Sequence, residues 1–136
     1  MVYTRTGQVL MLKRADHRRF WQSITGSLEW GDATPLATAL RELREETGLV
    51  VDSLRDWSLI QRYEIFPEYR HRYEPHITHN TEHAFSLELP AVVPIVINPQ
   101  EHSAYEWVPF AEAVTRATSW TNRDVLILLG KEMGFM

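Results

Sequence analysis

The segment that most constrains this chain runs from Thr34 to Gly48, because it carries both ends of a helix in its own sequence. Thr34 offers a side-chain oxygen for the N-cap. Pro35 suits the first helical position, where a missing N–H costs nothing, and Gly48 tolerates the left-handed backbone that ends a helix. The spacing predicts a helix over Pro35–Thr47. At about 100° per residue, Leu36, Ala39, Leu40 and Leu43 fall in one arc and should face a core. Arg41 and Arg44 share a second arc, and Glu42, Glu45 and Glu46 share a third, opposite the apolar one.

Carboxylates at i, i+3 and i+4 repel one another by roughly 0.2–0.5 kcal/mol per pair. A hard divalent cation removes that penalty, because Mg²⁺ prefers carboxylate oxygens and keeps water in its remaining positions. The plain alternative is a solvated face on which Arg41 pairs with Glu45. The flanks favour the cation: a glycine loop, Gly26–Ala33, leads in, and Gly48-Leu49 closes the helix at a fixed distance from the acids.

Around this helix the pattern alternates between strands and helices. Val9–Arg14, Trp21–Thr25, Trp57–Phe66, Thr81–Leu89 and Ala104–Val108 have the β-branched and aromatic content of strands. Pro109 opens a helix through Ala117, and Thr121 caps a last one, Asn122–Met133. Interleaved strands and helices imply an α/β domain, and 136 residues imply a single domain, 1–136. With no cysteine, disulfides, thiol nucleophiles and cysteine-bound zinc are excluded. The net charge of −4 gives no footprint for nucleic acid, and no apolar run is long enough to span a bilayer. The start lacks the apolar core of a secretory signal. These features point to a soluble cytoplasmic protein with no nucleic-acid, membrane or obligate protein partner.

Arg41-Glu42-Leu43-Arg44-Glu45-Glu46-Thr47-Gly48-Leu49, preceded by Gly26, resembles the box of the Nudix hydrolases. That box reads Gly, five residues, Glu, seven residues, Arg-Glu-aliphatic-x-Glu-Glu-x-Gly-aliphatic. Two features depart from it. Asp32 stands where the loop glutamate belongs, and eight residues rather than seven separate it from Arg41. Further segments resemble the branch of bacterial dihydroneopterin triphosphate pyrophosphohydrolases, which act in folate biosynthesis. They are Phe20–Ser27, Glu64-Ile65-Phe66, Arg70–Tyr73, Asn80-Thr81-Glu82, Glu101-His102, Ala104-Tyr105, Ser119-Trp120 and Asn122-Arg123. Members of that branch carry a first strand that begins upstream of Met1. The likeness therefore implies a shortened or replaced strand there, with a sheet edge less covered.

The resemblance implies the Nudix fold, a mixed sheet sandwiched between helices, and a magnesium-dependent enzyme, with manganese as the alternative ion. Its substrate would be a small-molecule triphosphate, cleaved to a pterin monophosphate and pyrophosphate. Glu42, Glu45, Glu46 and Glu101 would hold the metal or act as base, with Arg41 beside them. Arg14, Thr25, Tyr63, Glu64, Ile65, Phe66 and Ser119 would contact substrate. Within this set Arg14 could pair with phosphate oxygens, Tyr63 or Phe66 could stack on a flat ring, and Glu64 could accept ring N–H groups. Arg70 and Arg72 are alternative phosphate contacts. A general nucleoside triphosphate pyrophosphohydrolase and a non-catalytic ligand-sensing module remain as competing readings. His71, His76, His79 and His83 have no recognised zinc spacing and read as surface residues. Trp21, Trp57, Trp107 and Trp120 read as core or half-buried, and Trp30 as a loop residue able to reach a ligand.

Overall fold

The computed structural model describes residues 1–17, 19–24, 26–27 and 34–136. Its strands are β1 (Val2–Thr4), β2 (Gln8–Arg14), β3 (Trp21–Gln22), β4 (Gly26–Ser27), β5 (Arg55–Glu64), β6 (His79–Leu89) and β7 (His102–Pro109). Its helices are α1 (Pro35–Thr47), α2 (Phe110–Arg116) and α3 (Trp120–Glu132), with a short 3-10 helix over Pro67–Arg72.

Strand β2 organises the sheet because its apolar run is buried on both faces: Val9, Leu10, Met11 and Leu12 are all 0% exposed. Alternation along the strand divides them. Val9 and Met11 join Phe110, Val125, Leu126 and Leu129 under α2 and α3, whereas Leu10 and Leu12 join Leu43, Ile95 and Ile24 under α1. Removing a side chain such as Leu126 or Leu10 would cost roughly 2–5 kcal/mol. Helices therefore cover both faces of the sheet.

β7 lies antiparallel along one edge of β2, while β1 and β3 share the other. β6 repeats the plan, with β5 antiparallel on one edge and β1 and β4 on the other. Because β1 runs parallel to β6 and antiparallel to β2, the sheet is mixed. β1 is thus a central strand, and the sequence-based expectation of a less covered edge at this point is corrected.

Helix α1 has the predicted bounds. Thr34 Oγ1 accepts the Ala37 N–H at 3.1 Å, and Gly48, at φ +76°, donates its N–H to the Arg44 carbonyl. The buried arc is turned from the expected one. Thr38, Ala39, Leu43 and Thr47 are buried, whereas Leu36 and Leu40 are half-buried. Thr47 can be buried because its hydroxyl donates to the Leu43 carbonyl at 2.6 Å and accepts the Leu49 N–H at 3.1 Å. The last helix begins earlier than expected, with Ser119 rather than Thr121 at its N-cap, and Trp120 is exposed.

The β2–β7 ladder slips between Lys13 and Arg14: Lys13 faces Ala104, but Arg14 faces His102, so Ser103 is the extra residue. A bulge of this kind re-aims the side chains around it. Here it sets Arg14 and His102 level at the end of the sheet where α1 also finishes.

Candidate active site

Two backbone devices bring the end of α1 to the start of β7. Val96 donates its N–H to the Thr47 carbonyl at 3.0 Å, which ties the incoming segment to the last turn of α1. A turn at Asn98 follows, where the Asn98 carbonyl accepts N–H groups from Glu101 (3.0 Å) and His102 (2.8 Å) and its side chain accepts that of Gln100 (3.1 Å). Glu46, Glu101 and His102 are thereby gathered, with one ligand atom from each within 4.8 Å of the others.

The group is electrostatically strained. Burial, and then the neighbouring Glu101 carboxylate, push the Glu46 carboxyl up to about 8. His102 is 1% exposed, and burial followed by the Arg14 charge holds it down to about 4, so its imidazole is neutral near pH 7. Its Nε2 lies 3.3 Å from Gln22 Nε2, and its buried Nδ1 has no hydrogen-bond partner among the described residues. Two carboxylates beside a neutral imidazole fit a divalent cation, which would offset the repulsion.

Beside this group lies a cavity of about 120 Å³. Its walls are aromatic because Phe20 is buried edge-on between Phe66 (5.7 Å between ring centres) and Tyr69 (5.9 Å), with Tyr63, Ile65 and Tyr73 completing the lining. Gln22, Glu82, Ser119 and Asn122 supply polar atoms. Asn122, on α3, fixes the back wall. Its Oδ1 accepts the Ser23 N–H at 3.0 Å and its Nδ2 donates to Ser23 Oγ at 2.8 Å.

Arg14 stands where the cavity meets the acidic group, since it lines the former and faces His102 across the sheet. Its guanidinium donates to Asp16 at 3.0 and 3.3 Å and lies 4.5 Å from the Tyr69 ring centre. Asp16 also accepts from Arg72 at 2.9 Å and from the Tyr69 hydroxyl at 3.3 Å, which pins the 3-10 helix over the cavity. The Arg14 hydrogen bond pulls the Asp16 carboxyl below its ordinary value, while burial opposes it. For Arg14, burial opposes the charge, but Asp16 and Tyr69 outweigh it and its pKa rises.

The residues singled out from sequence separate as follows. Glu46 and Glu101 come together, whereas Glu42 and Glu45 lie outside the group they form with His102. Glu45 is exposed and pairs with Arg41 at 3.0 Å. Arg14, Tyr63, Ile65, Phe66 and Ser119 line the cavity. Glu64 does not line it; it is exposed and pairs with Arg70 at 2.8 Å. Thr25, Trp30 and Asp32 lie outside the described residues. His71, His76 and His79 are exposed and His83 is half-buried. Sequence reasoning named His102 and Glu82 only within segments of family likeness, without a role in the site, and did not single out Asp16 or Tyr69. Strand alternation from Ala104 does not find His102, because the extra residue Ser103 breaks it; the signal was its place beside Glu101 in the family likeness.

Residues 1–129 match the family model described as NUDIX domain. The chain belongs to the NUDIX family. Among curated relatives of this NUDIX chain, the dihydroneopterin triphosphate diphosphatase of Escherichia coli K12 is 43% identical over 125 residues, which is 89% of this chain and 81% of that protein. The enzyme of the same name from Haemophilus influenzae is 39% identical over 132 residues, 93% of this chain and 81% of that one. The solved structure of the E. coli dihydroneopterin triphosphate pyrophosphohydrolase superposes with a TM-score of 0.88 at 40% identity, covering 96% of this chain and 91% of that one. The mixed sheet between helices is therefore the NUDIX fold, and the chain is a hydrolase. Among the described residues no helix is long and apolar enough to cross a membrane.

Proposed function

We propose that this NUDIX protein hydrolyses dihydroneopterin triphosphate to the monophosphate and pyrophosphate. The observation that carries the reading is the junction at Arg14: an aromatic cavity for a flat ring opens directly beside a carboxylate group suited to a cation. The similarity to enzymes of that name, spread over 89% and 93% of the chain, supports the choice of ring.

Glu46, Glu101 and His102 would hold Mg²⁺ or Mn²⁺, with Glu42 and Glu45 on the same helix as the further acids of the set. When bound, the ion would neutralise phosphate oxygens and lower the pKa of a water. The remaining work falls to the chain's own groups. Arg14 turns from Asp16 to the phosphates, as a charge-assisted donor fixed by the bulge. Tyr63 or Phe66 stacks on the ring, with Phe20 holding Phe66 edge-on behind it, and a carboxylate of the acidic group takes the proton of the attacking water. The 136 residues act as one catalytic unit, and the cytoplasm is the compartment proposed for it.

The test is pyrophosphate release by the purified protein with Mg²⁺, from dihydroneopterin triphosphate and from the common nucleoside triphosphates. A marked preference for the pterin is expected. Equal or better turnover of the nucleotides would overturn the substrate and leave the hydrolytic chemistry standing.

A further inference from the structure

The ring cavity holds one acid among the described residues that line it, and it is not the one the sequence favoured. Glu64 lies on β5 but is exposed and paired with Arg70. Glu82 lies on the neighbouring β6, opposite Gln61, and it lines the cavity. The reason is strand alternation: Tyr63 faces inward on β5, so Glu64 must face the other way. The cavity's guanidiniums, Arg14 and Arg72, are both engaged by Asp16. Glu82 is half-buried in a wall otherwise built from Tyr63, Ile65 and Phe66.

We propose that Glu82 is the specificity-determining residue of this cavity, reading the edge of rings that present an amino group beside a ring N–H. A carboxylate accepts two parallel N–H donors in its own plane. The 2-amino-4-oxopyrimidine edge of pterins and guanine offers that pair. Adenine and cytosine place an acceptor nitrogen beside their amino group, and uracil flanks its N–H with carbonyls, so each would leave a carboxylate oxygen facing an acceptor or unmatched. Selection arises because an unmatched polar group in a half-buried wall costs binding energy. The inference rests on the proposed reading that this cavity takes the substrate's ring, and it identifies what in the ring is read.

The test is calorimetric binding of neopterin, guanosine and adenosine, none of which carries a phosphate. The wild type, Glu82→Gln and Glu64→Gln would be compared with folding monitored by near-UV circular dichroism. The wild type should bind neopterin and guanosine at least about tenfold more tightly than adenosine, the discrimination expected of a good bidentate contact. Glu82→Gln should erase that preference, because neopterin and guanosine binding weakens while the amide can pair with the adenine edge, and Glu64→Gln should retain it. Equal or undetectable binding of all the rings by the wild type would overturn the proposal. So would a preference that survives Glu82→Gln, an equal weakening for every ring, or a loss that follows Glu64→Gln instead. Because these ligands cannot be hydrolysed, failure here is separable from failure to release pyrophosphate from the pterin triphosphate.

Discussion

At the aromatic end of the cleft, Asp16 takes hydrogen bonds from Arg14, Arg72 and Tyr69, so both guanidiniums there have an opposite neighbour. At the acidic end, Glu46 and Glu101 repel each other beside an imidazole nitrogen with no partner among the described residues. The Asp16 clasp is satisfied as it stands, so the wall it holds is shaped before a ligand arrives. The acidic end is satisfied only by something carrying positive charge. Arg14 connects them, and its exchange of Asp16 for a phosphate would couple ring seating to the acidic group.

The largest effect that would sharpen this contrast is in turnover. Glu46→Gln and Glu101→Gln should each lower kcat about 10³-fold, within the range for losing an acid–base or metal-holding carboxylate, while ring binding stays intact. A loss confined to KM would show that the acidic end only binds. Arg14→Ala comes next, with KM for the triphosphate rising about 10- to 100-fold, the scale of a charge-assisted hydrogen bond, and kcat falling less.

The stability of the metal-free protein should then report the strain at the acidic end through its pH dependence. The Glu46 carboxyl stands at about 8 in the fold, above its ordinary 4.5, so between those values the folded state holds a proton that the unfolded state has lost. Stability must fall as pH rises through that window. His102, held at about 4 against an ordinary 6.5, contributes the opposite slope, and stability falls as pH drops through its window. Melting temperature against pH, recorded in chelator, should therefore show a loss by pH 8 that is absent in Glu46→Gln and reversed by Mg²⁺. A flat alkaline limb would remove the strain from the acidic end.

Smaller still is the effect of Asp16→Asn, which keeps the shape of the clasp but weakens its hold on Arg14 and Arg72. KM should shift only a few-fold, and the 3-10 helix should become easier for a protease to cut. Thr34→Ala touches neither end and should cost about 1 kcal/mol of stability through the lost N-cap, with unchanged catalytic constants per folded molecule.

The parts of the fold that could be read from sequence are those decided within a few residues. Thr34, Pro35 and Gly48 fixed α1 because capping is an exchange between a side chain and backbone groups within one helical turn. Val9–Leu12 marked a strand buried on both faces because no polar residue interrupts it. Arg14, Tyr63, Ile65, Phe66 and Ser119 were named through the family likeness, and they share one cavity.

What the sequence by itself determined is an α/β hydrolase whose acids stand on one capped helix. Tertiary structure decided which of those acids meets one from a distant segment. Glu46 meets Glu101 only because the Thr47–Val96 hydrogen bond and the Asn98 turn fold a distant segment onto α1. His102 joins them because one extra residue, Ser103, shifts the β2–β7 register. The physical reason is that desolvation and charge repulsion depend on what surrounds a group in space, and no local pattern records a neighbour more than fifty positions away.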